Sequence, residues 1–499
     1  MNNVIEMIEK SAEVYADRIA FSDQKSEITY KELTEAARSV AQYILDNDQQ
    51  HKPVVVITRR DIESVILILG AIYSGNVYIP MDSSYTDKKI ISVLDKADSN
   101  IVLCQKRDMR AFSDRSDIRS FSYEEAKECK ADSDALRRIR ERISASDLMC
   151  CFLTSGTTGE PKCVMKSHFS IMSMVKAFTE QFDFSGSDVF GCQTSLDFDS
   201  SNKSVFISLY LGAQVYIIPK EMFIFPGRLV PEFNSRRVSV LIWSVSALAL
   251  LARIKIMKNE KFLYLRKVMF SGEAIACDTI SYWKDNLAGT QFVNLYGPTE
   301  MTGNALFYEV GAVDENKPIP MGSPMPDTKV YLLDENRRLI TQNNVKGELY
   351  IGGNCLAAGY YNDHEKTKET FIKDPFEPER SATIYRTGDM GYINDDGEYV
   401  FSGRKDLQIK RNGYRIELSA IETAVMRSGL VSVCCCVFRK SKEEICLYYQ
   451  SENECCDQLY SFMKRELSWY MMPNKIERID HIPLNSHDKP DRKKLTEME

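Results

Sequence analysis

Residues 53–80 change hydrophobic period twice within one short stretch, and that change leaves few architectures open. VVVITRR (residues 53–59) is a continuous apolar run with polar ends, the pattern of a strand buried on both faces. DIESVILILGAIYSG (residues 61–75) follows with helical apolar spacing and stops on Gly75. Residues 77–80 return to strand character, and after a further helical stretch Ile101–Cys104 does so again. Strand–helix–strand alternation of this kind predicts a mainly parallel α/β sheet. Residues 124–148 are charge-rich and read as a solvated helix or a variable connection.

Further strands are expected at 215–218, 238–242, 267–270 and 291–295. From about residue 320 the pattern changes. KVYLL, GELYIGG, ATIYRTGD and GEYVFSGR are short strands separated by Gly, Asp and Asn turns, which predicts a β-rich subdomain. After Gly403 the order strand, turn, strand, helix, strand, strand, helix fits a small α+β terminal domain.

Composition narrows the function classes. The chain has 499 residues, 44% hydrophobic and 27% charged, which suits a soluble protein of several domains. Lys plus Arg total 64 against 71 Asp plus Glu, a formal charge of −7, so binding nucleic acid through bulk positive charge is not expected. The longest apolar runs are too short to span a bilayer, and the amphipathic, partly acidic start does not read as a signal peptide. A cytoplasmic location, with no membrane and no nucleic-acid partner, is the expectation. Fourteen cysteines then belong in a reducing compartment; none forms C-x-x-C, and 434–436 lie in a β-prone run where cysteine acts as a small core residue. The five histidines have no metal-ligand spacing, which leaves carboxylate and phosphate oxygens as the donors for any metal.

Chemistry concentrates in a few segments. Thr154-Ser155-Gly156-Thr157-Thr158-Gly159-Glu160-Pro161-Lys162 follows a buried run. Its glycines permit close backbone approach, its N–H and hydroxyl groups can surround phosphate oxygens, and Lys162 adds a positive charge. It lacks the GxxxxGK[ST] order of a Walker loop. The segment resembles the phosphate loop of the adenylate-forming superfamily, which includes acyl-CoA synthetases, luciferases and the adenylation domains of nonribosomal peptide synthetases.

Further motifs of that superfamily follow in its order: Asn294-Leu295-Tyr296-Gly297-Pro298-Thr299-Glu300, then Gly347–Gly353 (GELYIGG), then Tyr385-Arg386-Thr387-Gly388-Asp389. Gly403-Arg404-Lys405-Asp406-Leu407-Gln408-Ile409-Lys410 and Lys489 complete the series, so the resemblance runs from Tyr30 to Leu495.

The resemblance implies a large N-terminal domain (1–402) of parallel α/β subdomains plus a β-rich subdomain, and a small mobile α+β C-terminal domain (403–499) hinged near Asp406. It also implies roles. Thr154, Ser155, Thr157 and Thr158, with Lys162, would hold the β- and γ-phosphates of ATP. Tyr296 would lie against adenine, with Asn294 and the Gly272–Glu273 backbone at its edge. Asp389 would accept from both ribose hydroxyls, helped by Arg404. Glu300 would bind Mg²⁺, and Lys489 would reach the reacting carboxylate and the α-phosphate. In the alternate orientation of the terminal domain, Gly413 would lie near an incoming thiol.

Phe198-Asp199-Ser200-Ser201 resembles the FDxS pattern of amino-acid-activating members, where the aspartate pairs with the substrate α-ammonium. A buried carboxylate needs a cation or several donors, and a fatty acid supplies neither. The resemblance puts Lys203 at a position that lines the side-chain pocket, and a lysine there calls for an acidic side chain such as glutamate or aspartate. Met269, Ser271, Leu295, Gly303 and Asn304 are further wall candidates, with Ser200 and Asn304 as polar contacts. D-alanine–carrier protein ligases, acyl-CoA synthetases and a non-catalytic nucleotide-binding homologue are the alternatives.

No phosphopantetheine-attachment pattern follows Lys489, so the acceptor is expected to be the phosphopantetheine thiol of a separate carrier protein, with coenzyme A as the alternative. Two departures from the pattern stand out. Cys163 replaces the usual glycine after Pro-Lys, and SHDK replaces the usual Asn-Gly before the terminal lysine.

Overall fold

The computed structural model describes the chain except for residues 1, 48–52, 113, 114, 116, 155–161, 378–381, 406, 441, 485–489 and 499, and the side chains of 110 and 111. Ser155, Thr157, Thr158, Asp406 and Lys489 therefore lie outside the described residues. The chain divides into two compact units. The larger comprises Met1–Leu153 and Cys163–Lys405, and the smaller Thr154–Lys162 and Asp406–Glu499.

The apolar run expected at 53–59 forms the strand Val54–Thr58, buried at every position. It pairs in parallel with Tyr78–Asp82 on one side and Ile101–Cys104 on the other. Asp61 caps the intervening helix Ile62–Tyr73 by accepting from the Ser64 N–H, which satisfies one of the unpaired donors of the first turn. That helix is buried on nearly every face, so its sequence shows little amphipathic contrast. Seven strands make this sheet, in the order Gly359–Tyr360, Lys162–Ser167, Leu148–Thr154, Tyr78–Asp82, Val54–Thr58, Ile101–Cys104, Arg119–Ser122.

A nine-stranded sheet holds a second set of parallel strands. Val189–Cys192, Val240–Ser244, Lys267–Ser271 and Gln291–Tyr296 run side by side in parallel. Successive side chains on such strands point to opposite faces. Leu241, Trp243, Val268 and Phe270 enter one core cluster, while Ile242, Met269, Val293 and Leu295 enter another. Both faces are thus covered, as a parallel sheet requires. The charge-rich stretch contains two helices, Tyr123–Ala126 and Ser133–Arg142, with only Ala126 and Leu136 buried.

The β-rich subdomain is an antiparallel sheet of five strands in which Gly347–Gly353 lies between Thr328–Leu333 and Thr383–Ile393. Two of the recognised motifs meet there. Glu348 accepts from Arg386 Nε at 2.7 Å, and Lys405 Nζ lies 3.4 Å from its other oxygen. No helix among the described residues is long and apolar enough to cross a membrane.

The smaller unit pairs the strands Gln408–Arg411 and Tyr414–Glu417, then packs the helices Leu418–Arg427 and Cys456–Glu466 against a three-stranded sheet. Cys434, Cys435 and Cys436 are all buried on the strand Val433–Arg439, and Cys434 and Cys436 share a core cluster with Ile445 and Leu447. They serve there as core residues.

Candidate active site

Parallel strands direct their carboxyl ends and following loops to one edge, the usual location of ligand sites in α/β sheets. Ser271 and Leu295 are register partners near the ends of adjacent strands, and Phe270 pairs with Asn294. Gly272 follows at φ +104°, a backbone conformation that side-chain-bearing residues rarely adopt, with open space where a Cβ would project. Glu273 continues this loop, half-buried. Asn294 is buried and donates from Nδ2 to the Pro320 carbonyl at 2.7 Å. This bond fixes its side chain.

Tyr296 ends its strand, and its hydroxyl donates to Asp389 Oδ2 at 2.5 Å. Burial, then the Asp389 charge, holds the Tyr296 phenol well above its ordinary pKa, so it stays protonated as a donor. Arg404 binds the other Asp389 oxygen and also donates to the Thr387 carbonyl at 3.1 Å. Asp389 N–H donates to Thr387 Oγ1 at 2.9 Å. An acceptor-only carboxylate, a phenol and a guanidinium, 93 and 15 residues apart in sequence, thus form one cluster.

Glu300 is 0% exposed and accepts from the Tyr360 hydroxyl at 2.7 Å. A single protein carboxylate is the donor set Mg²⁺ uses when nucleotide phosphates and water supply the other oxygens, so the chemistry of this residue fits that ion. Among the described residues no group of three or more His, Cys, Asp or Glu could hold a metal independently. Thr154 closes the strand Leu148–Thr154, and its buried Oγ1 has no hydrogen-bond partner among the described residues. Lys162 begins the next strand, largely buried. Cys163 directs its side chain into the core, where its thiol hydrogen-bonds to that of Cys151.

Beside the residues expected to line the acid pocket, the structure places one that the sequence reading did not include. Asp199 stands just before the helix Ser201–Leu211, its side chain 12% exposed, and its Oδ1 lies 2.8 Å from Lys166 Nζ. Asn202 Nδ2 donates to the same oxygen at 3.1 Å. Lys166 is 0% exposed and also donates to the Thr299 carbonyl at 2.9 Å and to Thr302 Oγ1 at 3.4 Å. An acid lacking an amine would therefore not leave Asp199 without a cation, because the chain supplies one. Nothing in the linear pattern joins Lys166 to Asp199. The local signal is a lysine inside a mostly buried strand.

Lys203, 2% exposed, points inward from the same helix and donates to Asn304 Oδ1 at 2.8 Å. Burial pushes its ammonium down to about 8, with Asp199 opposing and Lys166 reinforcing that shift. Ser200 occupies the helix N-cap position without a side-chain cap bond. Met269 and Leu295 are buried in a common core cluster, and Ser271 is half-buried at its strand end. Gly303 has φ +83°, with Met174 and Phe178 packed where a side chain would go.

Comparison with known proteins gives a consistent result. The family described as AMP-binding enzyme matches residues 8–361. Tyrocidine synthase 1 of Brevibacillus parabrevis is 30% identical over 99% of this chain, which spans 45% of that protein. Zwittermicin A synthase ZmaJ of Bacillus cereus is 30% identical over 96% of this chain and 92% of its own length. Among solved structures, the Vibrio cholerae adenylation domain AlmE in complex with glycyl-adenosine-5'-phosphate superposes with a TM-score of 0.87 at 21% identity, covering 100% of this chain and 97% of that one. An artificially fused adenylation–PCP di-domain, NpsA-ThdA from Klebsiella oxytoca, gives 0.82 at 22%, covering 96% and 94%. These structures share the fold, a large mixed α/β domain with a smaller second one.

Proposed function

Since the chain belongs to the AMP-binding enzyme family, we propose that it activates an amino acid with an acidic side chain as its aminoacyl adenylate and passes it to the phosphopantetheine thiol of a carrier protein. In the first step a substrate carboxylate oxygen attacks the α-phosphorus of ATP, the bond to the β-phosphate oxygen breaks, and pyrophosphate leaves. No protein nucleophile takes part; the chain positions the reactants and stabilises charge.

Asp389, oriented by Tyr296 and Arg404, accepts from the ribose hydroxyls. Thr154, Ser155, Thr157, Thr158 and Lys162 hold the phosphates, with Asn294 and the Gly272–Glu273 loop beside the base. Glu300 would hold Mg²⁺, which when bound would neutralise phosphate charge. Lys489 contacts the reacting carboxylate and α-phosphate. The division at 402/403 and the hinge at Asp406 belong to the same reading, in which the terminal domain serves both half-reactions. The artificially fused adenylation–PCP di-domain among the similar structures supports a carrier protein as the thiol source. Fourteen unpaired thiols suit a reducing cytoplasm.

The observation that carries the substrate assignment is Lys203. It is buried, and its one hydrogen bond among the described residues goes to a neutral amide, Asn304. A buried ammonium without a contacting carboxylate is costly, and a substrate carboxylate relieves that cost. ATP–pyrophosphate exchange across the amino acids, with fatty and aryl acids as controls, tests the reading. Exchange is expected with glutamate or aspartate. Exchange with an aliphatic acid and with no amino acid contradicts it.

A further inference from the structure

We propose that Lys166 is a specificity-determining positioning residue, whose fixed ammonium on Asp199 makes the acid pocket net cationic and excludes amino acids with neutral side chains. This deepens, and rests on, the assignment of an acidic amino-acid substrate. An ammonium has three N–H donors, and Lys166 has an acceptor for each of them: Asp199 Oδ1, the Thr299 carbonyl and Thr302 Oγ1. Fully buried and fully bonded, it has no route to solvent. Among the described residues the donors to the Asp199 carboxylate, Lys166 and Asn202, both go to Oδ1, which leaves Oδ2 to the substrate.

Charge counting gives the consequence. Lys166 and Lys203 contribute two positive charges, and Asp199 one negative. A substrate α-ammonium placed on Oδ2 adds a third positive charge close to Lys166. Forming the adenylate converts the α-carboxylate into a mixed anhydride, so the aminoacyl group loses its own compensating charge. A neutral amino acid then leaves an excess of two positive charges over Lys166, Lys203, Asp199 and the substrate α-ammonium. A side-chain carboxylate directed at Lys203 reduces that excess to one. Lys203 attracts the side chain, while Lys166 penalises every substrate that lacks a second anion, which is discrimination by repulsion as well as attraction.

The test is ATP–pyrophosphate exchange with glutamate and glutamine, on the wild type, K166M, K166Q and K203M. The wild type is expected to favour glutamate by at least tenfold in kcat/KM. K166M and K166Q are expected to narrow that ratio about tenfold, mainly by lowering the KM for glutamine, since Asp199 then meets the substrate ammonium without a competing cation. K203M narrows it the other way, by raising the KM for glutamate. If K166M is poorly folded, K166Q, which can still hydrogen-bond to the Thr299 carbonyl, carries the comparison. An equal loss for both substrates in the Lys166 variants makes Lys166 merely structural and overturns the proposal alone. Absence of exchange with any amino acid in the wild type overturns it together with the reading it rests on.

Discussion

Tyr296 donates its hydroxyl to Asp389 across 2.5 Å, tying the end of a parallel strand in the α/β region to an antiparallel strand of the β-rich subdomain. The bond shows how a proposed ribose acceptor is held: Tyr296 takes one carboxylate oxygen and Arg404 the other. Replacing Tyr296 with Phe removes a hydrogen bond to a charged acceptor at a buried site. A loss of about 1.5–3 kcal/mol is expected in denaturant unfolding of the larger unit, with a raised KM for ATP. A variant as stable as the wild type, with unaltered KM, contradicts this account.

Asp199→Asn tests the Lys166 pair from its acidic side. The substitution leaves a fully buried ammonium facing a neutral group, and breaking a buried pair by removing one partner costs about 3–5 kcal/mol. A large fall in melting temperature is expected, together with loss of exchange activity. The double variant Asp199→Asn/Lys166→Met should regain stability without activity, which calorimetry and exchange assays read separately.

Lys203 gives a pH signature. Burial lowers its pKa from the ordinary 10.5 to about 8, so the free enzyme loses this charge as pH rises through about 8. The kcat/KM for an acidic amino acid is expected to fall above that pH, and Lys203→Met to remove that limb of the profile. Stability moves in the opposite direction. Between about 8 and 10.5 the unfolded chain binds a proton that the folded chain has released, so this group makes the fold more stable as pH rises through that window. Below about 8 its full burial penalty applies. Urea unfolding at pH 7.5 and 9.5, with Lys203→Met as the reference, measures the difference.

Lys489→Ala is expected to slow adenylate formation by ~10²–10³, the scale of losing one positioned electrostatic donor. Single-turnover pyrophosphate release measures it. An unchanged rate removes Lys489 from the first half-reaction.

Much of this fold was legible in the sequence because its signals are local. The apolar run that became Val54–Thr58, the Asp61-capped helix behind it and the Gly- and Asp-punctuated strands after residue 320 each follow from neighbouring residues. The motif order pointed to the family for the same reason, since Thr154, Tyr296, Asp389 and Arg404 each sit in a recognisable short segment. The family resemblance puts Lys203 at a pocket position, and the helix Ser201–Leu211 turns it inward to Asn304.

What the sequence determined by itself was the inventory: alternating strands and helices, a set of phosphate- and ribose-type groups, and an aspartate suited to an ammonium. Tertiary structure alone decided which charges meet. Lys166 and Asp199 lie 33 residues apart, and Tyr296 and Asp389 lie 93 apart, on elements brought together by sheet packing. No periodicity encodes such pairs, because they depend on where two strands end in space. The physical result is an ion pair its motif does not suggest: the aspartate expected to await a substrate cation already holds one from its own chain.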